Sequence, residues 1–375
     1  MRRILLVGGG SGGHVYPVIA VANALKEKSV EAGDLELLLL GDDKFMQRAA
    51  KENGIKFRSI MSGKLRRYFS PLNFVDVFKF PVGFFQSLWY IFWFMPDVVF
   101  AKGGYMSVLP VLVAKLYLIP VYIHESDSVP GLANKFLGRL AKKIFISFQM
   151  STTYLNSSKT ILTGNPVRKD ILIGDRNEAA KLFGLSPDKK TVFVYGGSQG
   201  AQKINEMILE SLVMMIGKDF QIIHQCGSGQ YDTVKKSVDK FIKEGEGGYG
   251  DAITQNYRLE PFLNLDKARA AYALADVIVS RAGASNIFEI AAVGKPAVII
   301  PITDSAGNHQ LNNATAFSKY GAVMIEEENL TPHIVLSQIE YLLRQENYEA
   351  VSQKIKSFAT PDAADKIAST LLALT

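Results

Sequence analysis

The 375-residue sequence contains one cysteine, Cys226, and only two tryptophans. A single cysteine cannot form an internal disulfide, which excludes the disulfide-rich secreted class and suits a reducing compartment. The apolar run at the N terminus stops at the glycines that begin with Gly8, too early for the hydrophobic region of a signal peptide. We therefore expect a protein that stays on the cytosolic side.

Residues 80–96 lack any charged side chain, and their length lies at the lower edge of what spans a bilayer. A membrane span is rejected because residues 4–7 and 97–100 both read as strands of one sheet, and a span would separate them. Trp89 and Trp93 suit a headgroup boundary, so the stretch predicts an interfacial helix, half in the domain and half in lipid. A wholly buried core helix is the alternative.

Acidic residues are scarce in the first half of the chain. Residues 1–165 hold 20 Lys and Arg against 11 Asp and Glu. Lys64, Arg66 and Arg67 stand just before the uncharged stretch. This excess of positive charge indicates an anionic partner: a nucleic acid, a phosphate-bearing substrate or a membrane surface.

The rest of the chain is organised around residues 277–301. A short β-branched run, residues 277–279, predicts a buried strand, and a turn at Gly283 leads into a helix that ends at Gly294. The helix start exposes N–H groups to an anion, and Glu289, one turn further, can accept hydrogen bonds from two ribose hydroxyls. The alternative is a helix with one exposed glutamate.

A glycine loop follows the first strand, residues 4–7. Gly8, Gly10 and Gly13 satisfy the G-x-G-x-x-G dinucleotide pattern, and Asp42 ends the next strand, so a nicotinamide enzyme is an alternative at this point. His14 does not belong to that pattern. At a helix start beside such a loop, it is a candidate general base.

His124, Glu125 and Asp127 follow another predicted strand, at the edge where open α/β sheets bind ligands. A metal site there is only weakly indicated, because no second ligand pair with helical spacing accompanies them.

The second half repeats the strand, glycine loop and helix pattern, with Gly196 lying 188 positions after Gly8. We therefore predict an α/β protein with two similar domains, residues 1–165 and 166–350, followed by a helical tail over residues 351–375.

Eight motifs occur in one order: GGGSGGH, KGGY, HESDSVPGLANK, TGNPVR, GGSQGAQKIN, HQCGSGQ, RAGASNIFEIAAVGKP and HQLNNA. Together they resemble the MurG family of peptidoglycan N-acetylglucosaminyltransferases, over residues 4 to about 335. The resemblance implies a GT-B fold, in which two Rossmann-like domains face a cleft. It also implies transfer of N-acetylglucosamine from UDP-N-acetylglucosamine to the muramyl 4-hydroxyl of lipid I (undecaprenyl-diphospho-muramoyl peptide), giving lipid II.

Under this resemblance the enzyme needs no cofactor and no metal, and it works on the anionic cytoplasmic membrane surface rather than on nucleic acid. The N-terminal domain faces acceptor and membrane, and the C-terminal domain binds the UDP-sugar. A UDP-sugar 2-epimerase shares this layout, but the basic and aromatic residues at 64–95 argue against it. A dehydrogenase leaves the second glycine loop without a role.

The resemblance also implies site residues. The general base matches His14, and Glu125 or Asp127 is the alternative carboxylate base. The residues that match donor- or sugar-binding positions are Ser11, Gly12, Gly13, Asp127, Arg168, Ser198, Gln199, Leu263, Ala284, Ser285, Asn286, Ile287, Phe288, Glu289 and Gln310. Many members carry Asn at the position of Asp127, and this chain also departs from the family at Gly307 and His309.

Overall fold

The structure, a computed structural model, describes residues 1–9, 12–32, 34–42, 44–63, 72–197, 200–244, 249–303 and 307–373. The chain forms two compact units. Unit 1 comprises Met1–Val167 and Thr360–Thr375, and unit 2 comprises Arg168–Ala359.

Unit 1 is a parallel sheet with helices on both faces. Its strands and helices are β1 (Arg2–Val7), α1 (Gly12–Ala32), β2 (Leu35–Gly41), α2 (Lys44–Glu52), β3 (Lys56–Ser59), α3 (Leu72–Phe94), β4 (Val98–Ala101), α4 (Val108–Leu116), β5 (Val121–Glu125), α5 (Leu132–Leu140), β6 (Lys143–Ile146), β7 (Thr160–Leu162) and α15 (Ala363–Leu372). The strands pair in the order β3-β2-β1-β4-β5-β6-β7. Since both faces are covered, the central strands are mainly apolar, and residues 4–7 of β1 are fully buried.

Unit 2 has the same architecture. Its elements are α6 (Arg176–Phe183), β8 (Thr191–Tyr195), α7 (Gln202–Gly217), β9 (Gln221–Gln225), α8 (Tyr231–Glu244), α9 (Tyr249–Asn256), β10 (Tyr257–Glu260), α10 (Leu265–Leu274), β11 (Val277–Arg281), α11 (Ala284–Val293), β12 (Ala297–Ile300), α12 (His309–Ser318), β13 (Val323–Met324), α13 (Pro332–Leu343) and α14 (Gln345–Ser357). The parallel sheet has the order β10-β9-β8-β11-β12-β13. The predicted α/β class with two Rossmann-like domains is confirmed.

Each sheet reverses its strand order at one point. In unit 1 the reversal lies between β1 and β4, and in unit 2 between β8 and β11. Loops that leave such neighbouring strands diverge to opposite faces and open a crevice at the carboxyl edge, where doubly wound sheets bind ligands. The loops that contain Gly8 and Gly103 leave the first pair, and those that contain Gly197 and Gly283 leave the second.

The helix predicted over residues 80–96 is longer than expected and begins at Leu72 as α3. Ser87 and Ile91 are fully buried, whereas Phe85, Trp89 and Trp93 are 62–67% exposed. Because one face of α3 is covered by unit 1 and the other is open, the alternative of a wholly buried core helix is wrong. No helix in the described part of the chain is long and apolar enough to cross a membrane.

The C-terminal helices do not form the separate tail expected over residues 351–375. Helix α14 belongs to unit 2, where it packs against α11 and α13, and α15 belongs to unit 1, where it packs along α1. Residues 364, 367, 368 and 371 of α15 are buried at helical spacing in the unit 1 core. The sequence shows this apolar helix face, but it does not show which of the two units buries it.

Gly200 lies just before α7 with a φ of +79°, a conformation that favours glycine. A Cβ atom there would overlap the carbonyl oxygen of Cys226, whereas a Cβ at Gly229 would meet nothing within 4 Å. We expect Gly200→Ala to destabilise unit 2 by about 1–3 kcal/mol, through backbone strain and this overlap. Thermal unfolding should show a lowered midpoint for Gly200→Ala and an unchanged one for the control Gly229→Ala. Equal midpoints would contradict the packing described for this loop.

Candidate active site

His14 stands in the first turn of α1, at the strand-order reversal of unit 1. Its ring faces the turn after β4, because a Cβ at Gly104 would lie 3.8 Å from Cε1 and 4.0 Å from Nε2. Its Nδ1 is buried and has no hydrogen-bond partner within the described residues. Burial lowers the pKa of His14 to about 4, and the charge of Lys102 acts in the same direction. The charge of Asp127 acts in the opposite direction and raises the pKa. The imidazole is therefore neutral near pH 7 and can accept a proton.

Lys102, the last residue before the Gly103–Gly104 turn, is 1% exposed. Its Nζ lies 2.8 Å from Nδ1 of His124 and 3.4 Å from Oδ1 of Asn165, and it donates to Oγ of Ser126. Burial lowers the pKa of Lys102 to about 8, and Glu125 and Asp127 oppose that shift. The sequence identified the KGGY turn but gave its lysine no role. The position of this lysine, between a buried strand and two glycines, is the sequence feature that could have indicated a buried lysine at the site.

His124 uses both ring nitrogens within this network. Its Nδ1 accepts from the Lys102 ammonium, so its Nε2 carries the proton and donates to the carbonyl of Gly164 at 3.0 Å. Neither nitrogen is left to bind a metal, so the weakly indicated metal site is wrong for His124. Elsewhere in the described residues, no cluster of three or more His, Cys, Asp or Glu side chains could hold a metal ion.

Glu125, the candidate carboxylate base, is 4% exposed at the end of β5. Its oxygens accept from the amides of Asp127 (2.9 Å) and Gly131 (3.3 Å) and from Nδ2 of Asn134 (2.8 Å). These bonds fix the turn from β5 into α5. Burial and the neighbouring Asp127 raise the pKa of Glu125 to about 7. Because Glu125 holds the turn and Asp127 is only partly buried, His14 remains the first candidate for the base.

Unit 2 brings a second set of predicted residues together at its own strand-order reversal. Gly197, with φ +84°, lies beside Asn286 in the first turn of α11, since a Cβ at Gly197 would be 3.9 Å from Nδ2. Asn286 donates to Oγ of Ser280 at 3.0 Å, which fixes the amide beside the glycine loop. The predicted contacts Ser11, Ser198 and Gln199, and the basic residues Lys64, Arg66 and Arg67, lie outside the described residues.

Glu289 is 4% exposed, so the alternative of an exposed glutamate is wrong. Its Oε1 accepts from Nε and Nη2 of Arg168 at 3.0 and 2.9 Å, and its Oε2 accepts from the Tyr272 hydroxyl at 3.0 Å. The pairing of Arg168 with Glu289 was not predicted, although both were chosen as donor-site residues. The two guanidinium N–H donors converge on one carboxylate oxygen, and these charge-assisted bonds fix both side chains.

The other predicted donor residues differ in burial and in the groups that their side chains contact. Ala284, Ile287 and Phe288 are buried, and the ring of Phe288 packs on that of Phe358 at 4.9 Å, so these side chains serve the core of unit 2. Ser285 and Asn286 are partly exposed on the same turn. Leu263, in the loop that follows β10, is buried. Gln310 lies in the first turn of α12, and its Oε1 accepts from the amide of Ile302 at 3.2 Å.

A buried network that the sequence did not reveal supports the unit 2 glycine loop. His224 on β9 lies 2.7 Å from the Tyr257 hydroxyl and 2.9 Å from Oδ1 of Asn205 on α7. Nδ2 of Asn205 then donates to the carbonyl of Cys226 at 3.0 Å. These bonds tie the start of α7 to the loop that follows β9.

Family models match both halves of the chain. Residues 4–146 match the glycosyltransferase family 28 N-terminal domain, and residues 191–367 match the C-terminal domain of that family.

Curated relatives match at nearly full length. The chain is 35% identical to a UDP-N-acetylglucosamine–N-acetylmuramyl-(pentapeptide) pyrophosphoryl-undecaprenol N-acetylglucosamine transferase of Treponema denticola, with 97% of this chain and 94% of the relative covered. It is 36% identical to a transferase of the same name, numbered 2, from Bacillus anthracis, with 98% of each covered.

Solved structures share the fold. The MurG crystal structure from Acinetobacter baumannii has a TM-score of 0.70 at 24% identity and covers 99% of each chain. A UDP-GlcNAc 2-epimerase from Neisseria meningitidis, bound to UDP-GlcNAc, also has a TM-score of 0.70, at 16% identity over 99% of this chain and all of that one. The fold alone thus does not separate the two activities, whereas the 35–36% identity to the curated transferases does. The chain belongs to glycosyltransferase family 28, among the MurG-type N-acetylglucosamine transferases.

Proposed function

We propose that the protein transfers N-acetylglucosamine from UDP-N-acetylglucosamine to the 4-hydroxyl of the muramyl residue of lipid I, giving lipid II for peptidoglycan synthesis. The observation that carries this proposal is the 33–36% identity, over nearly the whole chain, to relatives that bear the name of this activity.

The reaction is a single displacement that inverts the anomeric carbon. A base takes the proton of the muramyl 4-hydroxyl, the oxygen attacks C1 of the donor sugar, and the C1–O bond to UDP breaks. The α-linked donor thus gives a β-linked product. His14 is the base in this proposal, since its imidazole is neutral near pH 7 and its ring stands at the strand-order reversal of unit 1, against the turn at Gly104.

Unit 2 holds the donor at its strand-order reversal. The backbone N–H groups of a glycine loop before α7 and of the first turn of α11 suit a diphosphate. Glu289 is fixed by Arg168 in the second turn of α11 and accepts from the ribose hydroxyls, while Arg168 and the loop N–H groups stabilise the departing UDP charge. Ser198 and Gln199 in the loop, the backbone of Leu263 and the side chain of Gln310 complete the donor contacts.

A UDP-sugar 2-epimerase is the rival function, since it shares the fold and the donor. Mixing the protein with UDP-N-acetylglucosamine, with and without a lipid I analogue, separates them. The transferase releases UDP and forms the disaccharide lipid only with acceptor. Formation of the 2-epimeric UDP-sugar without acceptor would instead identify an epimerase.

The same proposal places unit 1 on the anionic cytoplasmic membrane surface, where lipid I is held. Helix α3 and the neighbouring turn after α4 present a contiguous apolar surface, because the ring centroids of Phe92 and Tyr117 lie 6.5 Å apart. The exposed members of this membrane face are Phe78, Val82, Phe85, Trp89, Phe92, Trp93, Met95, Leu116, Tyr117 and Leu118.

The end of α4 supports this proposal further. Leu118 is 87% exposed and has a φ of +59°, where a glycine would normally end the helix. An exposed leucine in that conformation is costly in water and gains free energy on entering lipid.

Glu289 is expected to govern donor affinity. Replacing it with Ala would remove both the charge and the acceptor that Arg168 contacts, at a stability cost of about 3–5 kcal/mol. Glu289→Gln keeps one side-chain oxygen that can accept from Arg168, so it is the better variant. Loss of charge-assisted bonds of about 1.5–3 kcal/mol should weaken UDP binding about tenfold or more in calorimetry. The exposed Glu349→Gln serves as control. UDP affinity equal to wild type in a folded Glu289→Gln protein would remove Glu289 from the ribose site.

His14→Ala is expected to impair chemistry rather than donor binding. Removing a general base costs about 10²–10⁴ in rate, so turnover should fall by that factor while UDP affinity stays within a few fold. The exposed His333→Ala is the matched control. Near-normal turnover of His14→Ala would transfer the role to Glu125 or Asp127.

Membrane binding is expected to require the exposed tryptophans. Wild type should sediment with anionic vesicles at low salt, less with neutral ones, and less as salt increases. Trp89→Ser with Trp93→Ser should reduce binding without lowering the melting temperature, since both rings are exposed. Phe84→Ser should lower the melting temperature, because Phe84 packs against the unit 1 core.

Tyr341→Ser, at an exposed position on α13 of unit 2, is the control for this experiment. If folded wild type stays in the supernatant with anionic vesicles at low salt, the docking proposal is wrong.

A further inference from the structure

Tyr272 on α10 is 1% exposed, and the proposed transfer gives its hydroxyl no role. A buried tyrosine hydroxyl usually has a hydrogen-bond partner, and this one donates to Oε2 of Glu289 at 3.0 Å. Its partner is thus the carboxylate that is proposed to receive the ribose, rather than a backbone group of the core. This contact makes Tyr272 a candidate for a role in donor recognition.

The remaining acceptor capacity of Glu289 lies on the oxygen that Tyr272 contacts. A carboxylate accepts about four hydrogen bonds, two on each oxygen. Nε and Nη2 of Arg168 both donate to Oε1, at 3.0 and 2.9 Å, and so fill that oxygen. Within the described part of the chain, Oε2 accepts from Tyr272 alone. A ribose hydroxyl that binds Glu289 while Arg168 stays in place must therefore approach Oε2, beside the Tyr272 hydroxyl.

The ring of Tyr272 is itself held in place by β8. It packs edge to face on Phe193, with centroids 5.3 Å apart, and on Tyr195, with centroids 6.5 Å apart. Tyr195 is the last residue of β8 and directly precedes the glycine loop that begins at Gly196. The ring therefore contacts β8 and the hydroxyl contacts α11, on the two sides of the strand-order reversal. One side chain thus links the strand that leads to the diphosphate loop with the carboxylate that faces the ribose.

We propose that Tyr272 is a positioning residue that aims the Glu289 carboxylate at the ribose, and so makes the site selective for ribonucleotide over deoxyribonucleotide donors. The inference rests on the donor site of the proposed function, and Tyr272 itself touches no substrate. Because protein donors hold both carboxylate oxygens, the group cannot turn toward another donor when a ribose hydroxyl is missing.

The open position on Oε2 would then stay unfilled in a buried site when a deoxy analogue binds. Leaving a buried acceptor unpaired is costly. For this reason, sites built to bond a substrate hydroxyl discriminate strongly against analogues that lack it. The fixed geometry of Glu289, rather than its charge alone, should therefore determine how strongly the site distinguishes the two classes of nucleotide.

The variant Tyr272→Phe isolates the contribution of the hydroxyl. Phenylalanine keeps the ring that packs on Phe193 and removes one O–H donor. Arg168 still holds Oε1, but the carboxylate can now turn about its terminal bond, whose torsion is soft. UDP affinity should fall a few fold, and the absence of a ribose hydroxyl should matter less, because the released carboxylate can find another donor.

The test is calorimetry on the full chain with UDP, 2′-deoxy-UDP and 3′-deoxy-UDP. Wild type should bind UDP about tenfold or more tighter than at least one deoxy analogue, as expected for the loss of one charge-assisted hydrogen bond. In Tyr272→Phe this affinity ratio should fall to about threefold or less. The control Tyr348→Phe, half-buried on α14 of unit 2, should keep the wild-type ratio.

An affinity ratio in folded Tyr272→Phe equal to that of wild type would overturn the proposal. A merely structural role would weaken the binding of all three nucleotides by the same factor, or lower the melting temperature, and leave the ratio unchanged. If Tyr272→Phe fails to fold, Phe193→Leu takes its place, because it keeps the Tyr272 hydroxyl but removes the ring against which Tyr272 packs. Its ratio should also fall, and an unchanged ratio would again refute the proposal.

These measurements need no acceptor, so they separate this inference from the proposed transfer. If wild type binds UDP and both deoxy analogues equally, the site reads no ribose hydroxyl and the inference fails, whether or not UDP is released in the presence of a lipid I analogue. If the ratio changes as expected while no disaccharide lipid forms, the inference stands and the proposed transfer fails.

Discussion

Parallel strand pairing with one reversal of order in each sheet is the constraint on which both sites depend. β1 pairs with β2 on one side and β4 on the other, and β8 pairs with β9 and β11 in the same way. Parallel strands all end at one edge, so the loops after each central pair meet there and diverge. Residues far apart in sequence, such as His14 and Gly104, are neighbours for this reason. Glycines in these loops allow the close approach of neighbouring loops, because they have no side chain to fill the space between them.

The two units hold buried charge in different ways. In unit 2, two N–H groups of Arg168 donate to one oxygen of Glu289, and the Tyr272 hydroxyl donates to the other. Removing either charged partner would leave the other buried without its ion pair, which is strongly destabilising. In unit 1, the buried Lys102 ammonium contacts Nδ1 of His124, Oγ of Ser126 and Oδ1 of Asn165. The first arrangement fixes the Glu289 carboxylate in place. The second holds an ammonium in place with no carboxylate among the contacts described for it.

Helix α3 contains a long uncharged stretch but packs along one face against unit 1 and leaves the other face open. Its buried face joins the unit 1 core through Ile91, while Trp89 and Trp93 pack edge to face with centroids 5.6 Å apart on the open side. A large apolar surface that a folded domain leaves open is typical of an interaction site. Here the aromatic composition and the positive charge of the N-terminal half favour a lipid surface.

The sequence alone determined the α/β class, the tandem repeat, the glycine loops and the family, since these follow from local periodicity and from motifs in fixed order. It also predicted a half-exposed aromatic helix, because the strands on either side belong to one sheet and exclude a span, while two tryptophans suit a headgroup boundary. Tertiary structure decided which charges meet. Lys102 and His124, or Arg168 and Glu289, lie on separate segments, and no local pattern records their contact. It also decided that α15 returns to unit 1, because an apolar helix face specifies burial but not the surface that buries it.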